Sequence, residues 1–134
     1  MALVIDASVT GSLLLPDDLL PMTRRLREAM RQDRILVPWV WWFEVQNLLI
    51  ANERRGRLGP DHTERILDAM RRLPVERDAA PEEGVTLALA RRHGLSIYAA
   101  AYLELARRET AALATIDTKL ADAAAAEDVP LLGQ

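Results

Sequence analysis

Two short apolar runs in this chain end directly in an aspartate, and a helix-favouring sequence follows each of them. Residues 3–5 precede Asp6, and residues 113–116 precede Asp117. A short β-rich run that ends in an acid is typical of a parallel strand, and open α/β sheets bind their ligands at the carboxyl edge of such strands. Because carboxylates gathered at one edge repel each other unless a cation joins them, the pattern predicts a site for a divalent metal.

A third acid, Glu44, lies inside an otherwise apolar segment formed by residues 39–43 and Val45. A carboxylate on such a surface is unfavourable unless it is paired or bound to a metal. Asp6 and Asp117 also have a simpler interpretation as N-caps of the helices that follow them. Glu44 is harder to explain structurally, and together the three acids predict one site.

The chain has 134 residues, half of them hydrophobic, no cysteine, and a formal net charge of −3. We therefore expect one domain, residues 1–134, with an ordinary core. The lack of cysteine excludes disulfides and thiolate zinc sites. No apolar run approaches the roughly 20 residues of a membrane helix, and no signal-peptide pattern is present, so we expect a soluble, cytoplasmic protein.

Segments that favour strands alternate with segments that favour helices along the whole chain. Strands are expected at residues 2–5, 35–37, 75–77 and 111–116, with a possible edge strand at 129–132. Helices are expected from about Val9 with an interruption at Pro16, at 21–32, from Pro38 to about 55, from 60 to before Pro74, at 81–94, at 96–108 and at 117–127. This order predicts an α/β fold, an α/β/α sandwich with a central parallel sheet of four to five short strands.

An all-oxygen cluster suits Mg²⁺ or Mn²⁺, which can activate a water for attack on phosphorus. His62 and His93 do not fit a nucleophile and are interpreted as surface or capping residues. Two other metal-dependent classes fit poorly. A receiver-type phosphoacceptor needs adjacent acids after the first strand, and a dehalogenase-type phosphohydrolase needs Asp-x-Asp, but Asp6 is followed by Ala7 and Ser8.

Four motifs in order, at residues 4–8, 43–49, 95–106 and 113–120, resemble the PIN-domain nucleases. The likeness covers essentially the whole chain and is greatest to the VapC-type toxins of bacterial and archaeal toxin–antitoxin pairs. The resemblance implies that Asp6 and Asp117 are metal ligands, that Glu44 is a ligand directly or through water, and that the Ser8 and Thr115 hydroxyls orient carboxylates and waters.

The resemblance also implies an Mg²⁺- or Mn²⁺-dependent endoribonuclease that cleaves single-stranded RNA, often tRNA or ribosomal RNA. Toxins of this family usually form homodimers and are silenced by an antitoxin that inserts a helix and a tail into a groove beside the acids. From the aromatic segment around Glu44 we expect Trp41, Trp42 and Leu48 to line that groove.

The sequence departs from the family pattern at Ala99. The family has Tyr-Asp-Ala here, with the acid in the first turn of a helix, whereas this chain has Tyr98, Ala99 and Ala100. We interpret Ala99 as an inactivating substitution, introduced on purpose or acquired in nature. Loss of one of four carboxylates should weaken metal binding and slow cleavage. The alternative is a PIN-like module that only binds an antitoxin or RNA.

Overall fold

The structure is a computed structural model, and it describes residues 1–15 and 22–132. The strands are β1 (Ala2–Ile5), β2 (Arg34–Pro38), β3 (Val75–Asp78) and β4 (Ala112–Ala114). The helices are α1 (Ala7–Leu14), α2 (Thr23–Gln32), α3 (Val40–Arg54), α4 (Pro60–Arg71), α5 (Glu83–His93), α6 (Ile97–Arg108) and α7 (Thr118–Ala126). The expected interruption at Pro16 and the expected helix start at residue 21 lie outside the described residues.

The four strands form one parallel sheet in the order β3-β2-β1-β4. Val4 of the central strand β1 lies opposite Leu36 on one side and Leu113 on the other. These central residues are almost completely buried, which agrees with a parallel sheet covered by helices on both faces. The α/β/α sandwich expected from the alternation of elements is confirmed.

Helix α6 packs across β1, β2 and β4, and α3 packs against α1, α4 and β2. Leu103 of α6 and Val45 of α3 are fully buried. These contacts bring the N-terminal ends of α1, α6 and α7 to the carboxyl edge of the sheet. The side chain of Ser96 caps α6, while Gly94 ends α5 with a φ of 62°, a left-handed conformation that glycine adopts without strain.

Several expected boundaries and one expected strand differ from the structure; α1, for example, begins at Ala7, and α5 begins at Glu83. Pro38 is the last residue of β2, opposite Asp78, and α3 begins only at Val40. Strand β4 ends at Ala114, and the hydroxyl of the next residue, Thr115, hydrogen-bonds with the Asp6 carboxylate and the Asp117 backbone N–H at the sheet edge. The expected edge strand at 129–132 is a single bridge between Leu131 and Leu113. Among the described helices, none is long and apolar enough to cross a membrane.

Candidate active site

Asp6 lies at the centre of the candidate site, directly after β1. Its Oδ1 accepts hydrogen bonds from the Ser8 hydroxyl at 2.6 Å and from the Val9 N–H at 3.0 Å, and its Oδ2 accepts one from Thr115. Burial raises the pKa of Asp6, and the hydrogen bonds from Ser8 and Thr115 oppose that rise. The nearby charge of Asp117 raises the pKa further. Asp6 is thus both the N-cap of α1 and a buried acid with a like charge beside it.

Asp117 is the N-cap of α7, the simpler of the two interpretations that its sequence position allows. Its Oδ1 caps α7 by accepting from the Lys119 N–H at 3.0 Å and from the Leu120 N–H at 3.3 Å. Its own N–H donates to the Thr115 hydroxyl at 3.0 Å, and that hydroxyl donates to Asp6. Thr115 therefore links the two aspartates, and a single Asp117 oxygen makes the cap.

Glu44 reaches the same site from α3. Its Oε1 accepts a hydrogen bond of 2.6 Å from the hydroxyl of Tyr102. Burial raises the pKa of Glu44, the Tyr102 hydrogen bond opposes this, and the charge of Asp6 adds to the rise. The three carboxylates, which we call the acid site, are therefore coupled through Asp6.

Sequence reasoning missed Tyr102. This side chain is only 2 % exposed, and burial and the Glu44 carboxylate raise the pKa of its hydroxyl. A tyrosine in an apolar helix usually needs a partner for its hydroxyl. That rule was the available signal, although it does not say which residue the partner is.

The donors of the acid site match a hard divalent ion. No cluster of three or more His, Cys, Asp or Glu side chains in the described ranges forms a ready-made metal site. Mg²⁺ nevertheless commonly uses one or two carboxylates and fills its other positions with water and substrate phosphate. The oxygens of Asp6 and Asp117 fit that requirement.

Comparison with known proteins identifies the family of the chain. The model for the PIN domain matches residues 3–126. The chain belongs to the PIN-domain family. Ribonuclease VapC3 of Pyrobaculum aerophilum is 31% identical over 126 residues, which cover 91% of this chain and 94% of VapC3. Ribonuclease VapC9 of Mycobacterium tuberculosis is 32% identical over 126 residues, 93% of each chain. The resemblance read from the motifs is confirmed.

A solved structure supports the PIN fold independently. The crystal structure of VapBC2 from Rickettsia felis, bound to a DNA fragment from their promoter, has a TM-score of 0.65 to this chain at 13% identity. The match covers 98% of this chain and 97% of that chain.

Ala99 stands in the first turn of α6, where its N–H donates to the capping Ser96 hydroxyl at 3.0 Å. Its methyl group supplies no ligand. Tyr102 follows three residues later, on the same side of the helix. At the acid site of this PIN domain, α6 thus contributes a hydroxyl at 102 but no carboxylate at 99.

Two clefts open beside the acid site and share Ser8 and Leu48. One, of about 610 Å³, is lined by Ser8, Phe43, Glu44 and Leu48. The other, of about 480 Å³, runs between α1 and α3 towards Arg55. Leu48 therefore lies where a groove was expected, although its role as a partner contact stays a prediction.

The groove role expected for Trp41 is wrong. Trp41 is fully buried, and its Nε1 donates to the Thr10 hydroxyl at 2.9 Å. Trp42 is half-buried, and the Arg77 guanidinium lies 4.9 Å from its ring centroid. Within residues 39–43, the aromatic rings that face solvent are instead Trp39, 52% exposed, and Phe43, 62% exposed.

Proposed function

We propose that this PIN-domain protein is a metal-dependent endoribonuclease toxin whose activity is impaired by Ala99. The observation that carries the proposal is the convergence of Asp6, Glu44 and Asp117 from three separate parts of the chain. The names of VapC3 and VapC9 as ribonucleases support RNA as the substrate, and we take tRNA or ribosomal RNA as the first candidates. We also propose that the protein acts in the cytoplasm, where such RNA is found.

In this proposal Asp6 and Asp117 hold Mg²⁺ or Mn²⁺, and Glu44 holds it directly or through a water. The bound ion supplies an activated water and neutralises charge that develops on the phosphate. Ser8 and Thr115 keep the Asp6 carboxylate oriented, and their hydrogen bonds favour its charged form. Asp117, fixed at the start of α7, faces Asp6 across the Thr115 hydroxyl.

Restoring an acid at position 99 tests the enzyme proposal. We expect Ala99→Asp to raise Mn²⁺-dependent RNA cleavage at least tenfold over the parent chain, and chelation of the metal to abolish the gain. Ala99→Asn is the matched control, because it adds a side chain of the same size without the charge. If Ala99→Asp cleaves RNA no faster than Ala99→Asn, the chain is better described as a PIN-fold binding module.

We also propose that a cognate antitoxin occupies the clefts around Leu48. The VapBC2 complex supports a second protein as the partner, and Leu48 lines both clefts next to Ser8. The test is co-expression with the protein encoded by the neighbouring reading frame. We expect Leu48→Ala to reduce co-purification, whereas Ile50→Ala, an exposed position on the same helix, should not. Equal co-purification of both variants would contradict this surface.

A homodimer is the third part of the proposal. Trp39 and Phe43 pack edge to face with ring centroids 6.2 Å apart, and Leu87 and Ile97 add exposed apolar area. Trp39 and Ile97 line one cleft with Leu87, which makes the face continuous. Light scattering should give twice the chain mass for the parent and the chain mass for Trp39→Glu. A monomeric parent at high concentration would contradict the homodimer.

A further inference from the structure

The hydroxyl of Tyr102 joins α6 to α3 at the acid site. Tyr102 is part of α6 and donates to Oε1 of Glu44 in α3 at 2.6 Å. The backbone N–H of Ala7, the first residue of α1, opposes the rise in the pKa of the same hydroxyl. This N–H lies at a helix N-terminus, whose partial positive charge strengthens the hydroxyl as a donor.

The Glu44 carboxylate needs a hydrogen-bond donor to keep its position close to Asp6. The charge of Asp6 disfavours a second carboxylate nearby, and burial disfavours it as well. The Glu44 side chain is only half-buried, so part of its surface faces solvent. The hydrogen bond from Tyr102 opposes both effects, and Tyr102 itself is held rigidly because it is 2% exposed.

We propose that Tyr102 is a positioning residue that holds Oε1 of Glu44 and thereby presents the second oxygen, Oε2, to the divalent ion. The inference rests on the proposed function, since it takes the ion as the ligand of the acid site. It assigns to α6 a contribution that does not depend on an acid at position 99. Tyr102 touches the carboxylate rather than the reacting atoms, so its effect passes through Glu44.

A double-mutant cycle on Mn²⁺ affinity tests the proposal. The dissociation constant is measured by electron paramagnetic resonance for the parent, Tyr102→Phe, Glu44→Gln and the double variant. Partners that orient metal ligands commonly change metal affinity by about 10–100-fold. We expect Tyr102→Phe to weaken Mn²⁺ about tenfold in the parent and less than twofold in the Glu44→Gln background. Thr86→Val, which removes a buried α5 hydroxyl that donates to the Glu82 carbonyl away from the acid site, should leave the affinity unchanged.

Unchanged affinity in Tyr102→Phe would overturn the proposal. An equal loss in the Glu44→Gln background would overturn it too, because the effect would then not pass through Glu44. Thermal unfolding of each variant identifies any general loss of structure.

A metal-free readout separates this inference from the proposed function. In ¹³C relaxation of labelled glutamate, we expect the Glu44 side chain to be ordered in the parent and averaged in Tyr102→Phe. If the parent binds no Mn²⁺ but this difference appears, the metal function fails and the positioning role stands. If Glu44 is equally ordered in both chains, the positioning role fails whatever the metal does.

Discussion

Thr115 donates a hydrogen bond to Asp6 across 109 positions of sequence. The same hydroxyl accepts from the Asp117 N–H, so one threonine at the end of β4 holds the acid at the end of β1 beside the acid that caps α7. The two strands pair in parallel with Ile5 opposite Ala114. Two acids that are remote in sequence thereby become neighbours.

We expect Thr115→Val to lower the free energy of unfolding by about 1–2 kcal/mol at pH 7, because a buried carboxylate and a backbone N–H each lose a partner. The pKa of Asp6, already raised by burial, should rise further without this donor. The loss should shrink towards pH 3, where Asp6 is protonated. Urea denaturation at both pH values measures it, with exposed Thr118→Val as the control. A loss of the same size at both pH values would contradict this account.

Asp6→Asn should stabilise the fold at neutral pH. The folded-state pKa of Asp6 lies above its unfolded value of about 3.8, so ionisation of Asp6 lowers the free energy of unfolding as pH rises through that window. Asparagine removes the charge and still caps α1. We expect Tm to rise by a few degrees at pH 7, since about 1 kcal/mol shifts Tm by roughly 4 °C. A lower Tm at pH 7 would show that the carboxylate stabilises the fold.

Arg108→Met should be strongly destabilising. Glu104 is 1% exposed, and the Arg108 guanidinium donates to it at 2.8 Å and to Asp78 at 2.6 Å. Within the described residues, the Glu82 N–H is the only hydrogen-bond donor that the buried Glu104 carboxylate keeps without Arg108. We expect a loss of about 3 kcal/mol in urea denaturation. Arg107→Met, on the same turn but more exposed, should lose less than about 1 kcal/mol. Similar losses for both would exclude a special role for the buried pair.

Glu127→Gln should remove a pH-dependent link between α5 and α7. Hydrogen bonds from His93 and then Arg92 lower the pKa of Glu127. A depressed pKa means that this stabilisation is present above the unfolded value of about 4.5 and is lost as pH falls through the folded value. We expect the variant to lose up to about 1 kcal/mol at pH 7 and little at pH 3. Exposed Glu64→Gln is the control. A pH-independent difference would indicate a packing effect instead.

The acids at the ends of β1 and β4 were predictable because they directly follow apolar strands, and parallel strands bring their ends to one edge. Trp41 was placed wrongly because helical spacing gives the faces of α3 without saying which face the sheet covers. Its indole is buried and bonded to Thr10, which lies in another helix. Tyr102 was missed for the same reason. Its partner, Glu44, is 58 positions away, and only the packing of α6 against α3 brings them together.

Strand β1 lies far before β4 in the chain but beside it in the sheet, with Leu3 opposite Ala112. During translation β1 can therefore pair with β4 only after more than a hundred further residues have been made, about 5–20 s at common elongation speeds. Until that late pairing, Asp6 and Asp117 are not neighbours. The acid site is consequently incomplete until the ribosome has made β4, and any activity that depends on the site can begin only after that.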